Sequence, residues 1–171
     1  MRTLGIFFGS TNGDTARIAE NLAERLTPYG DVDLCDVADF YLDALADYDD
    51  LILGIPTWNS GQLQEDWEAA LEDVADLDLA GKKVALFGLG DQVGYPATFV
   101  DALFFVAEFV RARHGQLVGR WPTQGYTFDQ SWAVEDEMFL GLVLDEVNQP
   151  ELTSARVARW IELLRIEFGW G

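Results

Sequence analysis

The segment Gly9-Ser10-Thr11-Asn12-Gly13-Asp14-Thr15 gathers three hydroxyls, one amide side chain and two glycines just ahead of an amphipathic stretch. A helix that starts there would present unpaired N–H groups and a positive dipole end, a ready anion site. The loop holds no Lys or Arg, so a phosphate would be bound by neutral donors. It lacks the Gly-Lys-Ser/Thr ending of a Walker loop and is not Gly-x-Gly-x-x-Gly. The same residue types also make an ordinary helix cap, so the loop alone leaves both readings open.

Two further loops carry chemistry of another kind. Pro56-Thr57-Trp58-Asn59-Ser60-Gly61 and Gly88-Leu89-Gly90-Asp91-Gln92-Val93-Gly94-Tyr95-Pro96 each offer one large aromatic, Trp58 and Tyr95. Two aromatics on facing loops can clamp a flat heterocycle, and glycines let backbone amides approach its edge. Each could instead pack beneath its own loop. All three loops falling at one edge is what would join them into a site.

The elements that would bring them together are legible from periodicity. Apolar runs at 4–8, 32–35, 51–55 (stopped by Pro56), 84–87 and 116–119 read as strands. Amphipathic or apolar stretches at 14–27, 63–75, 98–113 and 153–168 read as helices; the stripes Ile18-Leu22-Leu26 and Val157-Ile161-Leu164-Phe168 recur at helical spacing. The alternation predicts an open parallel sheet covered by helices on both faces, with ligands beyond the carboxyl ends of the strands. Residues 120–139, with Trp121, Tyr126, Phe128 and Trp132 among turn formers, interrupt the fifth strand.

Composition narrows the function. The 171 residues carry 11 Lys plus Arg against 30 Asp plus Glu, a net charge of −19, which disfavours nucleic acids and anionic membranes. At 49% hydrophobic and 13% aromatic the chain is too apolar to stay unfolded, and 1–171 reads as one domain. A lone Cys35 gives neither a disulfide nor metal-site spacing, no run is long enough to span a bilayer, and Met1-Arg2-Thr3-Leu4 runs straight into a strand; the expectation is a cytoplasmic protein.

Taken together, the Ser10–Thr15 loop, Pro56-Thr57-Trp58-Asn59, Gln64-x-Asp66-Trp67-Glu68, Gly88-x-Gly90-Asp91-Gln92-Val93-Gly94-Tyr95 and Leu144-Asp145-Glu146-x-Asn148-Gln149 resemble the flavodoxins over the whole chain. The interrupted fifth strand is that of the long-chain group. The resemblance implies a three-layer α-β-α fold with a five-stranded parallel sheet of order 2-1-3-4-5, and non-covalent FMN. It places the phosphate on Ser10, Thr11, Asn12, Gly13, the Asp14 backbone and Thr15, and the ring between Trp58 and Tyr95. Pro56, Thr57, Asn59, Ser60 and Gly61 would line one edge, and Leu89, Gly90, Asp91 and Thr98 the pyrimidine edge. It implies low-potential one-electron transfer, with the Asn59–Ser60 peptide turning its carbonyl toward flavin N5–H in the half-reduced state.

Two positions depart from the family pattern: Asn12 replaces a usual Thr, and Asp14 a common Lys or Asn. Asp14 is expected to face water at the helix start, where acids are favourable. An FMN-dependent NAD(P)H or quinone reductase on the same fold is the alternative, but Trp58 and Tyr95 would cover both ring faces. A receiver domain would need an acidic pair where Phe8-Gly9-Ser10 stands.

Off-stripe residues and charge suggest partners. Phe104 and Phe105 fall near the polar side of helix 98–113 with Asp101 and Glu108, either touching the 120–139 insert or forming a self-association patch on an otherwise monomeric protein. Arg156, Arg159 and Arg165 read as a solvated face. Between Arg25 and Lys82 stand 15 acids and no base. That density predicts basic redox partners: an NADP-linked or other reductase as donor, and an acceptor such as photosystem I, nitrogenase reductase or a radical-enzyme activase.

Overall fold

The computed structural model describes residues 2–58 and 60–171. The apolar runs form the strands β1 (Thr3–Phe8), β2 (Asp31–Asp36), β3 (Asp50–Trp58) and β5 (Lys83–Leu89), with the two-residue β4 (Gln62–Leu63) between the last two. The fifth main strand comes in two pieces, β6 (Gln116–Val118) and β10 (Leu142–Leu144), both parallel to β5. Spatial order runs β2-β1-β3-β5 and then β6 with β10, the order that the resemblance implies. Between the pieces, β7 (Trp121–Pro122), β8 (Val134–Glu135) and β9 (Met138–Phe139) make a small antiparallel sheet of their own.

Four helices cover the sheet: α1 (Asp14–Leu26), α2 (Glu65–Glu72), α3 (Ala102–Ala112) and α4 (Thr153–Phe168). Side chains alternate across a strand, so β5 reports which helix lies on which face. A Cβ on Gly88 would meet Leu103 of α3, whereas the neighbouring Phe87 packs edge-on against Trp160 of α4. The helical stripes are the buried faces: Ile18, Leu22 and Leu26 on α1, and Val157, Ile161, Leu164 and Phe168 on α4.

Several details differ from the sequence reading. Pro56 does not stop β3, which runs on to Trp58. Gly54 turns its carbonyl toward β1, accepting from the Gly9 N–H at 3.2 Å, and in a strand every second residue faces the same neighbour. Pro56 therefore faces the β1 side two residues on, where β1 pairing has ended at Phe8–Gly54, and its missing N–H is not needed. Helix 63–75 shrinks to α2, with Gln64 as its cap, and helix 98–113 begins only at Ala102. Arg156 is not on a solvated face. It is 7% exposed, its guanidinium 4.1 Å from the Tyr126 ring.

The insert is a packed excursion. Tyr126 and Phe128 join Phe99 and Phe139 in an aromatic cluster, and Trp132 lies 5.6 Å from Phe104 and 5.9 Å from Phe105 between ring centroids. The two phenylalanines thus lean on the insert. Asp101, expected beside them on the polar side, is buried and accepts the Trp132 N–H at 2.8 Å. Burial pushes its carboxyl above the ordinary value.

The far end of the sheet is a stability device. Buried Asp50 takes two hydrogen bonds from Arg2, at 2.7 and 2.6 Å, and one from Trp170 Nε1 at 2.9 Å. That fixes the amino ends of the strands and leaves the carboxyl ends to form a cleft.

Candidate functional site

α1 opens at Gly13, whose φ of 92° is the left-handed conformation that glycine adopts without penalty. The first intrahelical bond runs from Arg17 N–H to the Gly13 carbonyl, so the N–H groups of Asp14, Thr15 and Ala16 have no partner within the helix. The loop closes on itself: Ser10 Oγ accepts from Gly13 N–H and Asn12 Oδ1 from Asp14 N–H, each at 3.1 Å. Thr15 is the exception. It is 1% exposed, and its hydroxyl is buried with no partner. Such an orphaned group asks for an occupant in the space it faces.

That space is a cleft of about 290 Å³ at the carboxyl ends of β1, β3 and β5. Asn12, Asp14 and Thr15 line one end; Pro56, Thr57 and Trp58 one side; Leu89, Gly90, Asp91, Tyr95 and Thr98 the other. Trp58 and Tyr95, 37 positions apart in the chain, are therefore walls of one cavity. Trp58 Nε1 is a second buried donor left without a partner. Gly61 lies behind this wall at φ 85°, where a Cβ would press on Asp101 and Thr98.

Not every expected residue reaches the cleft. Ser10 and Gly13 do not line it and bond to each other across the loop turn. Thr11 turns to a neighbouring depression with Trp58, Gln62, Leu63, Glu65 and Glu68, and its hydroxyl accepts from Gln64 Nε2 at 3.1 Å. Ser60 is exposed. Asn59, and with it the Asn59–Ser60 peptide, lies outside the described residues. Asp14 lines the cleft as well as facing water, and its carboxylate pairs with Arg17 at 3.3 Å.

Four cleft residues escaped the sequence reading: Phe99, Val100, Glu146 and Val147. Val100 has φ 48°, an outlier for a β-branched residue, and is fully buried against the cleft. A Cβ on Gly90 would stand 2.7 Å from Val100 Cγ1, so the Val100 side chain packs onto the Gly90 backbone as closely as only glycine permits.

A buried polar hub holds the Tyr95 loop in place. Asp145 is fully buried and accepts five hydrogen bonds: from Gln92 N–H (3.1 Å), Gln92 Nε2 (2.7 Å), Val147 N–H (3.1 Å), Asn148 N–H (2.9 Å) and Asn148 Nδ2 (2.9 Å). Asn148 Nδ2 also reaches Asp91 Oδ1 at 2.7 Å, and Gln92 Oε1 accepts from Thr127 N–H of the insert at 2.7 Å. The Gly94 N–H, helped by Asn148 and Val93 and opposed by burial, holds the Asp91 carboxyl below its ordinary value. The loop is thus tied to β10 and to the insert through charge-assisted bonds.

The arrangement can hold an anion at the α1 end and a flat ring between Trp58 and Tyr95. The comparisons agree with that geometry. The family model described as Flavodoxin matches residues 6–160. A flavodoxin of Picosynechococcus sp. is 45% identical over 169 residues, 99% of both chains. Flavodoxin 1 of Escherichia coli is 43% identical over 169 residues, 98% of this chain and 95% of its own. The crystal structure of Fusobacterium nucleatum flavodoxin bound to flavin mononucleotide superposes with a TM-score of 0.92 at 31% identity, covering 98% of this chain and 99% of that one. With the sheet order, the cleft at its carboxyl edge and these full-length similarities in agreement, the chain belongs to the flavodoxin family.

Proposed function

We propose that the chain, as one unit of residues 1–171, is a low-potential electron carrier that binds FMN non-covalently in this cleft and passes single electrons between redox proteins. The observation that carries the reading is one cavity walled by Trp58 and Tyr95 and ended by the orphaned hydroxyl of Thr15. FMN fits both halves: a phosphate satisfies Thr15 and the free N–H groups of α1, and a planar ring fills the aromatic slot. Asn12 and Thr15 form the phosphate end, and Ser10, Thr11, Gly13 and the Asp14 N–H join it by exchanging their partners in and around the loop for the phosphate. Pro56 and Thr57 form one ring edge, to which we assign Asn59, Ser60 and Gly61 of the same loop, and Leu89, Gly90, Asp91 and Thr98 form the other.

When bound, FMN supplies the one-electron chemistry, and the protein sets its energetics. Asp14, Asp91 and Glu146 line the cleft, and no Lys or Arg does among the described residues. Added negative charge would therefore be disfavoured by like charges in a partly desolvated pocket, which would lower the potential of the second one-electron couple. A reductase would need room for a second planar substrate, and both aromatic walls would stand in its way.

The purified protein should be yellow, with a flavin absorption spectrum that changes through a distinct half-reduced form on stepwise reduction; a colourless chain that takes up no added FMN would defeat the reading.

Flavodoxins work with redox partner proteins. For this chain we propose basic ones: an NADP-linked or other reductase as donor, and photosystem I, nitrogenase reductase or a radical-enzyme activase as acceptor. No helix among the described residues is long and apolar enough to cross a membrane, and we place the carrier in the cytoplasm. It acts as a monomer, its mutual repulsion at −19 opposing self-association through Phe104 and Phe105. Electron-transfer rates with a basic reductase should fall steeply as salt is raised. Rates indifferent to salt would rule out electrostatic docking.

A further inference from the structure

The cleft poses an electrostatic problem. Asp14 and Glu146, from opposite ends of the chain, both line it where the α1 loop offers its N–H groups. Two carboxylates beside a site for a dianion should repel the ligand they are meant to admit. The loop brings no cation of its own, and its donors are neutral.

The counter-charge comes from one turn inside α1. Arg17 Nη2 lies 2.9 Å from Glu146 Oε2 and 3.3 Å from Asp14 Oδ1, so a single guanidinium bridges both carboxylates. Glu146 is fixed from its other side by the Thr153 hydroxyl at the start of α4. Its side chain is only 12% exposed, while that of Arg17 is 55% exposed. The strap therefore ties α1 to the β10–α4 loop across the end of the cleft. The hydrogen bond to Glu146, then that to Asp14, holds the guanidinium proton more firmly than usual. The buried, unpartnered Thr15 hydroxyl marks the same end as a place for a ligand atom.

We propose that Arg17 is a specificity-determining residue: by offsetting one of the two negative charges that Asp14 and Glu146 bring, it lets a loop of neutral donors accept the phosphate of FMN, and so sets preference for FMN over riboflavin. This rests on the proposed function above. Arg17 does not line the cleft, so it acts through the two carboxylates and not by gripping the ring. An exposed ion pair contributes little to stability, so its removal should change ligand preference far more than folding.

The test is titration of flavin-free protein with FMN and, separately, with riboflavin, at low and high salt. Removing one positive charge from the water-like surroundings of a dianion corresponds to about a tenfold loss of affinity. Arg17→Gln should raise the FMN Kd by about that factor at low salt, leave the riboflavin Kd unchanged, and lose less at high salt. Arg17→Lys should retain most of the affinity, and adding Glu146→Gln to Arg17→Gln should recover part of it. An unchanged FMN Kd, or an equal loss for both flavins, overturns the role of Arg17 while leaving the FMN reading intact. Failure of the unaltered protein to bind FMN would overturn both.

Discussion

Replacing Trp58 by alanine should weaken FMN binding by about a hundredfold. Trp58 forms one wall of the cleft, and among the described residues no second aromatic stands beside it on that side of the slot. Losing a stacked ring removes about 0.5–1.5 kcal/mol of face-to-face interaction. Uncovering one face of the ligand and of the indole removes a further ~1.5–2 kcal/mol of apolar burial. The sum, about 2–3.5 kcal/mol, corresponds to roughly thirty- to four-hundredfold in Kd. Trp58→Phe keeps a ring and should lose about tenfold or less, part of it from the Nε1 donor, which is buried without a protein partner and free to bond to a ligand. Flavin titration followed by fluorescence separates the cases. If Trp58→Ala bound FMN as tightly as the unaltered protein, the indole would not be a wall of the ring site.

The contrast between what the chain displayed and what it hid has a physical basis. Stripes such as Ile18-Leu22-Leu26 could be read because a helix buries one face and its period is local. The phosphate loop and both aromatics could be read because each lies in a short contiguous segment after a strand. Pro56 misled because its effect depends on which neighbour its N–H would face, a parity fixed only by the pairing of β3 with β1. Arg156 misled because burial against Tyr126 needs the insert to fold back on α4. Arg17 and Glu146 were hidden by a separation of 129 positions. Glu146 stood in the Leu144–Gln149 motif without a role, and the local signal for one was its place just beyond the second piece of the fifth strand, at the same carboxyl edge as the other loops. The Phe104–Phe105–Trp132 cluster shows a similar limit. Helical geometry put the two rings off the core stripe, but only the folded insert supplied the indole they rest on.

Asp145→Ala should be the more damaging change for the protein as a whole, destabilising it by about 3–5 kcal/mol. The carboxylate is fully buried and accepts five hydrogen bonds, so its removal strands both donors of buried Gln92 and takes the acceptor from Val147 and Asn148. Against a typical total of about 5–15 kcal/mol that is a large fraction, and a fall in Tm and in the urea midpoint should both report it. Asp145→Asn keeps the shape but turns an amide N–H toward one set of donors, so it should fall between. The same change reaches the site. Asn148 also holds Asp91, and Gln92 links the loop to Thr127, so losing the hub frees the segment that carries Tyr95. FMN affinity should therefore drop even at temperatures where the variant remains folded. A variant that lost stability but bound FMN unchanged would show that Tyr95 is held by its own turn, through the Tyr95 N–H to the Asp91 carbonyl, and not by the buried carboxylate behind it.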